Sequence, residues 1–174
     1  MAKVNFELIT WSNTFACGIK LIDDQHKGLV DLVNDMFIHV TGNAEQENKY
    51  FNKVFNEAVS YIKLHFSTEE KIMLATNFSG YKEHKRAHDN FILNVAKTFS
   101  EPATGKRPSL YAFTKFLKEW ILSHIAVMDK QYFVYLKQIA THKGNGKLTI
   151  TSEDIQSTTS AKQNTANSAV QNIA

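Results

Sequence analysis

The chain has 174 residues, enough for one domain with a proper core, and its 43% hydrophobic and 21% charged residues are ordinary for a soluble globular protein. A net charge of +3 is too mild to point to nucleic acid, and the cluster Lys82, Lys85, Arg86 reads as the solvated face of one helix. The single cysteine, Cys17, excludes an intrachain disulfide, no apolar run approaches the ~20 residues that span a bilayer, and Met1 to Thr10 does not read as a signal peptide, so the expectation is a cytoplasmic protein with no membrane contact.

With only 7 Gly and 2 Pro the chain favours long uninterrupted helices, and 12 Phe predict an aromatic-rich core. Residues 1 to about 20 show no clear period, yet Phe6, Leu8, Ile9, Trp11 and Phe15 are too apolar for a free tail. They predict an extended arm packed across the domain with Trp11 as its anchor. The first helix is predicted from about Ile22 to Val40, with Ile22, Leu29, Val30, Val33, Met36, Phe37 and Val40 on one stripe and His26 among them. Thr41, Gly42 and Asn43 end it, and Asn43 with Gln46 resembles a capping box for the next helix.

The second helix is predicted from about Ala44 to Thr76. Its apolar face holds Phe51, Val54, Phe55, Ala58, Tyr61, Ile62, Ile72 and Met73, and His65 and Glu69, four residues apart, project from that face. A short turn, Asn77 to Gly80, implies an antiparallel third helix from about Tyr81 to Phe99, with His84, His88, Phe91, Ile92, Val95 and Phe99 inward. Ser100 to Pro108 holds both prolines and reads as a loop. The fourth helix is predicted from about Ser109 to His142, with the stripe Leu110, Phe113, Leu117, Trp120, Ile121, His124, Met128, Tyr132, Tyr135 and Ile139. Lys143 and Gly144 look like its end. From Asn145 to Ala174 Ser, Thr, Asn, Gln and Ala dominate, which predicts a flexible polar tail outside the core and a possible contact for a protein partner. The fold class is therefore all-α: an up-down-up-down four-helix bundle over residues 1–144, arm 1–20 included, with the tail 145–174 beyond it.

Each helix offers ligand-type residues on its inward stripe: His26; His65 and Glu69; His84 and His88; His124 and Asp129. Taken singly, each has a plain alternative. A lone histidine on an apolar stripe is usually a hydrogen-bonded core residue, Glu69 could pair with a lysine, and Asp129 could lie at the surface beside Lys130. Five imidazoles and two carboxylates converging from four helices are expensive to bury without a cation. Asp129 fits least well: five residues after His124 is about 140° around an α-helix, so it must reach in from the flank. The other two histidines stay out. His39 is about 220° round the first helix from His26 and about 20 Å along it, and His142 lies about 27 Å beyond His124. Seven ligands exceed the four of a structural zinc site, and so many imidazoles do not suit calcium or magnesium; the set suits two iron-type ions sharing the carboxylates.

The ordered motifs Asp23-x-Gln25-His26-Lys27-x-Leu29, His65-Phe66-x-x-Glu69-Glu70, His84-x-x-x-His88 and His124-Ile125-x-x-x-Asp129 resemble the hemerythrin family in its bacterial form, over about Trp11 to Ile139. The resemblance implies two non-haem iron ions bridged by an oxo or hydroxo ion. His84, His88 and His124 would complete one iron, His26 and His65 would bind the other and leave a position open, and Glu69 and Asp129 would bridge them. It implies reversible end-on binding of dioxygen for storage, transport or sensing, and an oxygen pocket formed by Leu29, Phe66, Trp120, Ile121 and Ile125, each also a core residue by period. The alternatives on the same site are a di-iron enzyme, such as a peroxidase or a nitric oxide or oxygen reductase, and a regulatory module responding to oxygen or iron. An enzyme needs a proton source in the pocket. None is clearly placed, although Tyr61 and Tyr132 stay open, so the expectation is a binder rather than an enzyme.

Overall fold

The computed structural model describes residues 7–99 and 108–142. Its elements are a 3-10 turn Asn13–Phe15 and helices α1 (Lys20–Ile38), α2 (Ala44–Ala75), α3 (Tyr81–Phe99), α4 (Leu110–His124) and α5 (Lys130–His142). A π-helical turn, Ile125–Asp129, joins α4 to α5, so the two form one long fourth rod. Residues 100–107 of the expected loop, the helix end at Lys143 and Gly144, and the tail 145–174 lie outside the described residues.

The helix ends follow from local chemistry. Asn43 caps α2, its side-chain oxygen accepting the N–H groups of Glu45 and Gln46. The return half of a capping box is missing: the N–H of Asn43 donates to Thr41 Oγ1 at 3.2 Å, not to Gln46. At the other end of α2, Asn77 takes a left-handed conformation (φ 55°), with Phe78 N–H donating to the carbonyl of Met73 and Asn77 N–H to that of Leu74. This is a Schellman closure with asparagine in place of the usual glycine. Gly80 follows because a Cβ there would stand 2.6 Å from the Phe78 ring. The turn reverses the chain within five residues and lays α3 antiparallel to α2.

Two apolar clusters fill the bundle. The larger is built from Leu29 to Phe37 of α1, Phe51 to Phe66 of α2, Phe91 to Phe99 of α3 and Leu110 to Ile125 of the fourth rod. The smaller gathers Cys17, Ile22, Ile72, Met73, Tyr132, Phe133 and Leu136. Following the chain, α1 runs from the small cluster to the large, α2 from large to small, and the fourth rod from large to small. The bundle is thus up-down-up-down. Its larger core is aromatic: the rings of Phe51 and Phe113 stack at 5.2 Å, and Phe99 meets Phe113 at 5.0 Å. Each fully buried phenylalanine stabilises the fold by roughly 1.5–3 kcal/mol.

Two expectations need correction. In the arm, Ile9 is buried and Trp11 is only half-buried, so Ile9 is the anchor. The reason is polar as well as apolar: both backbone groups of Ile9 bond to Asn34. In the fourth rod, the buried positions after His124 are Ile125, Asp129, Tyr132, Phe133 and Leu136, while Met128, Tyr135 and Ile139 are half-buried. The expected stripe slips by one residue, because a π turn holds one residue more than an α turn. Among the described residues no helix is long and apolar enough to cross a membrane.

Candidate metal centre

Between the two apolar clusters lies a single polar layer. It holds His26 of α1, His65 and Glu69 of α2, His84 and His88 of α3, and His124 and Asp129 of the fourth rod, each no more than 5% exposed. Four-residue spacing brings His65 over Glu69 and His84 over His88. The π turn does the same for His124 and Asp129: i→i+5 bonding brings the fifth residue above the first, so Asp129 points inward without reaching round from the flank. His39 is absent from the layer and stacks on Tyr50 at 3.8 Å near the far end of α1.

The distances describe two overlapping groups. The Nε2 atoms of His84, His88 and His124 form a triangle with sides of 3.2, 3.0 and 3.1 Å. Glu69 Oε2 lies 3.5 Å from both His84 and His88, and Asp129 Oδ1 lies 3.3 Å from His84 and 3.1 Å from His124. On the other side His26 Nε2 is 3.5 Å from Asp129 Oδ2 and 4.0 Å from Glu69 Oε1, and His65 Nε2 is 3.7 Å from Glu69 Oε2. Glu69 has ligand atoms within 4.8 Å of all the others in both groups, one with His84, His88 and His124, the other with His26, His65 and Asp129. Asp129 turns one oxygen to each side.

Outer contacts fix the rings. His65 Nδ1 faces Gln25 Oε1 at 3.1 Å, His88 Nδ1 faces Glu70 Oε1 at 3.2 Å, and His26 Nδ1 faces the Phe15 carbonyl at 3.2 Å. Gln25 is itself held, its Nε2 donating to Thr68 Oγ1. Oxygen acceptors at Nδ1 put the proton there and leave Nε2 as a lone pair aimed at the centre. Sequence reasoning assigned no role to Gln25, Glu70 or the Phe15 carbonyl. Gln25 and Glu70 had a signal, each standing next to a ligand-type residue on its helix; a backbone carbonyl has none.

Three Nε2 atoms facing one another at 3.0–3.2 Å, beside two carboxylates, need positive charge among them, from a metal ion or from protons. The buried atoms His26 Nε2 and all four oxygens of Glu69 and Asp129 make no aligned hydrogen bond. Buried polar atoms without partners are rare in folded proteins, and these five share one place. The ring nitrogens stand 3.0–3.2 Å apart in the triangle and 3.1–3.7 Å from the nearer carboxylate oxygens, spacings at which donors can share an ion.

Without an ion, protons carry part of the balance. Burial pulls His84 down, but Asp129 and Glu69 more than offset it and raise the group to about 9. Burial likewise opposes a net rise at His26, where Asp129 and then Glu69 prevail. His65 has weaker anionic company, and burial lowers it to about 4. Glu69 is pushed up by burial and by Asp129, yet His65, His84 and His88 bring it below the ordinary carboxylate range. Asp129, also opposed by burial, is held well below its usual value by His124, His26 and His84.

Aromatic faces shield the layer. The Phe66 ring stacks on His88 at 3.7 Å and the Trp120 ring on His124 at 4.2 Å. On the large-core side a cavity of about 10 Å³ touches His65, His124 and Asp129 and is otherwise lined by Leu29, Ile62, Phe66, Trp120, Ile121 and Ile125. That is about the space of a single water. All five residues expected around an oxygen pocket border it, and Ile62, read from the sequence only as core, joins them.

Residues 17–136 match the family model described as hemerythrin HHE cation binding domain. The chain is similar to a bacteriohemerythrin of Methylococcus capsulatus, 28% identical over 72% of this chain and 94% of the relative. It is similar to a hemerythrin of Themiste dyscrita, 28% identical over 70% and 88%. A crystal structure of a leucine-to-phenylalanine mutant superposes with a TM-score of 0.63 at 28% identity, covering 74% of this chain and 97% of that one.

Proposed function

The chain belongs to the hemerythrin family, and from that premise we propose that it binds dioxygen reversibly at a pair of non-haem iron ions. In this reading His84, His88 and His124 would hold one ion, His26 and His65 the other, and Glu69 and Asp129 would serve both, with an oxo or hydroxo ion as part of the cofactor. The unit that binds is residues 1–144, and the tail 145–174 supplies no ligand. The observation that carries the proposal is the buried layer itself: seven ligand-type side chains, six of their atoms without hydrogen-bond partners, beside a small apolar cavity. A set of five imidazoles and two carboxylates suits a pair of iron ions better than calcium, magnesium or a single four-coordinate zinc.

Two ferrous ions would supply the two electrons that dioxygen takes up on binding and returns on leaving. The protein's part is positioning and exclusion. The cavity touches His65 of the two-ring half, His124 of the three-ring half and the shared Asp129. Apart from the proposed ligands and the Trp120 indole, the lining is hydrocarbon, so Leu29, Ile62, Phe66, Ile121 and Ile125 keep out water and offer no proton. Tyr132 is fully buried on the opposite side, among Ile72, Met73 and Phe133, and Tyr61 packs against α1 with its hydroxyl on the Gln25 carbonyl. Neither borders the cavity. This arrangement favours a binder over an enzyme. Cys17, buried and free, suits a reducing compartment, and we place the protein in the cytoplasm.

The test is repeated oxygenation of the reduced, iron-loaded protein followed by visible absorbance. Cycles that recover the starting spectrum under argon support a carrier or sensor. Oxidation in one direction within a single cycle would contradict reversible binding and favour an oxidase or peroxidase.

A further inference from the structure

The arm ahead of α1 is pinned at two places and touches the centre between them. Asn34, eight residues past His26 on α1, clamps Ile9 from both sides: the N–H of Ile9 donates to Asn34 Oδ1 at 2.8 Å, and Asn34 Nδ2 donates to the Ile9 carbonyl at 2.9 Å. The Ile9 side chain is buried in the large core. At the other end Asp23 accepts two backbone N–H groups, from Cys17 at 2.7 Å and Gly18 at 3.1 Å. Gly18 sits at φ +86°, a conformation that lets the chain turn into α1 there. Between the pins Ser12 caps the 3-10 turn, and the carbonyl of Phe15 meets His26 Nδ1 at 3.2 Å.

A carbonyl only accepts, so this contact fixes the proton on Nδ1 and leaves Nε2 for the centre. The segment packs through side chains, Trp11 and Phe15 against the large cluster and Cys17 within the small one, while its backbone is tied to α1 by the two pins. We propose that Asn34 and Asp23 are positioning residues for His26, acting through the strap 9–18, and that the strap sets how tightly the two-ring half of the centre holds its ion. The effect falls on that half because His26 is one of only two rings there, whereas His84, His88 and His124 sit on α3 and α4 and take no bond from the strap.

The inference rests on the di-iron reading, and the experiment separates the two. Parent, Asn34→Ala and Asp23→Ala are loaded with ferrous iron without oxygen, and release to a ferrous chelator is timed, alongside hydrogen exchange at the amides of Ile9, Cys17 and Gly18. Neither residue is a proposed ligand, and the two substitutions strike opposite ends of the strap. Each variant should release one of its two ions about tenfold faster than the parent, in line with other outer contacts to metal-binding histidines, and the second ion at the parental rate. The amide at the released pin should exchange faster. Faster exchange with unchanged release in both variants, or equal acceleration of both ions, overturns the strap's role. A parent that takes up fewer than two ions overturns the di-iron reading, and the strap's role with it.

Discussion

Glu69 and Asp129 are the residues for which burial is hardest to explain without a cation. Both are 0% exposed, both are held ionised, and their oxygens lack aligned donors. In the metal-free protein His84 carries part of the compensating charge, which makes a pH prediction possible. His84 is raised to about 9 from 6.5. The folded state therefore binds the proton more tightly than the unfolded chain, and that stabilisation is complete below about 6.5 and lost as pH rises towards 9. His65 is lowered to about 4. There the unfolded chain binds the proton more tightly, so stability is lost as pH falls from about 6.5 towards 4. Urea unfolding of the metal-free protein should show its greatest stability near pH 6–7, with losses on both sides. A steady rise to pH 9 would contradict the assignment of the proton to His84. The convergence of the seven side chains was legible because histidines, a glutamate and an aspartate on apolar stripes are conspicuous. The contacts that orient them were not. Gln25 and Glu70 stand beside ligand-type residues in the sequence, but period and spacing do not show what they bond, and the Phe15 carbonyl belongs to a segment with no period.

At the scale of the element, the π turn Ile125–Asp129 decides whether the fourth rod serves the centre. An unbroken α-helix from Leu110 to His142 would leave Asp129 about 140° from His124. Deleting Val127, an exposed residue of that turn, should restore α-helical bonding with the aspartate four residues after His124, the spacing of His65 and Glu69, and so still on the layer. The variant should keep its far-UV circular dichroism and its bound iron. Loss of more than half of the iron would show that the π turn does more than keep the pair on one face. Helix existence, order and most ends were readable from period and caps, and α3 ran between the expected residues. The π turn was not read, although its trace is in the chain. The ligand pair is five apart, and Phe133 and Leu136, buried beyond it, fall out of step with Leu117, Ile121 and His124 on a single α-helical stripe. A stripe that slips by one residue at a ligand-type pair is the signal that identifies such a turn.

For the whole molecule, the polar layer ties together four helices that otherwise meet through two separate apolar clusters. Ions bound there bind only the folded state and add to its stability by mass action. The bundle architecture was legible from four amphipathic stripes and short connections, because that pattern has few other solutions. The division of the core into two clusters was not, since periodicity shows which face of a helix is buried and not what it meets along its length. The central claim is that this one layer holds a pair of ions sharing Glu69 and Asp129. Anaerobic titration of the metal-free protein with ferrous iron, with thermal unfolding recorded at each addition, tests it most directly. The account predicts uptake that ends at two ions per chain, a midpoint temperature that climbs with both, and loss of both gains in Glu69→Gln. Saturation at one ion, or two-ion uptake undiminished in Glu69→Gln, would contradict it.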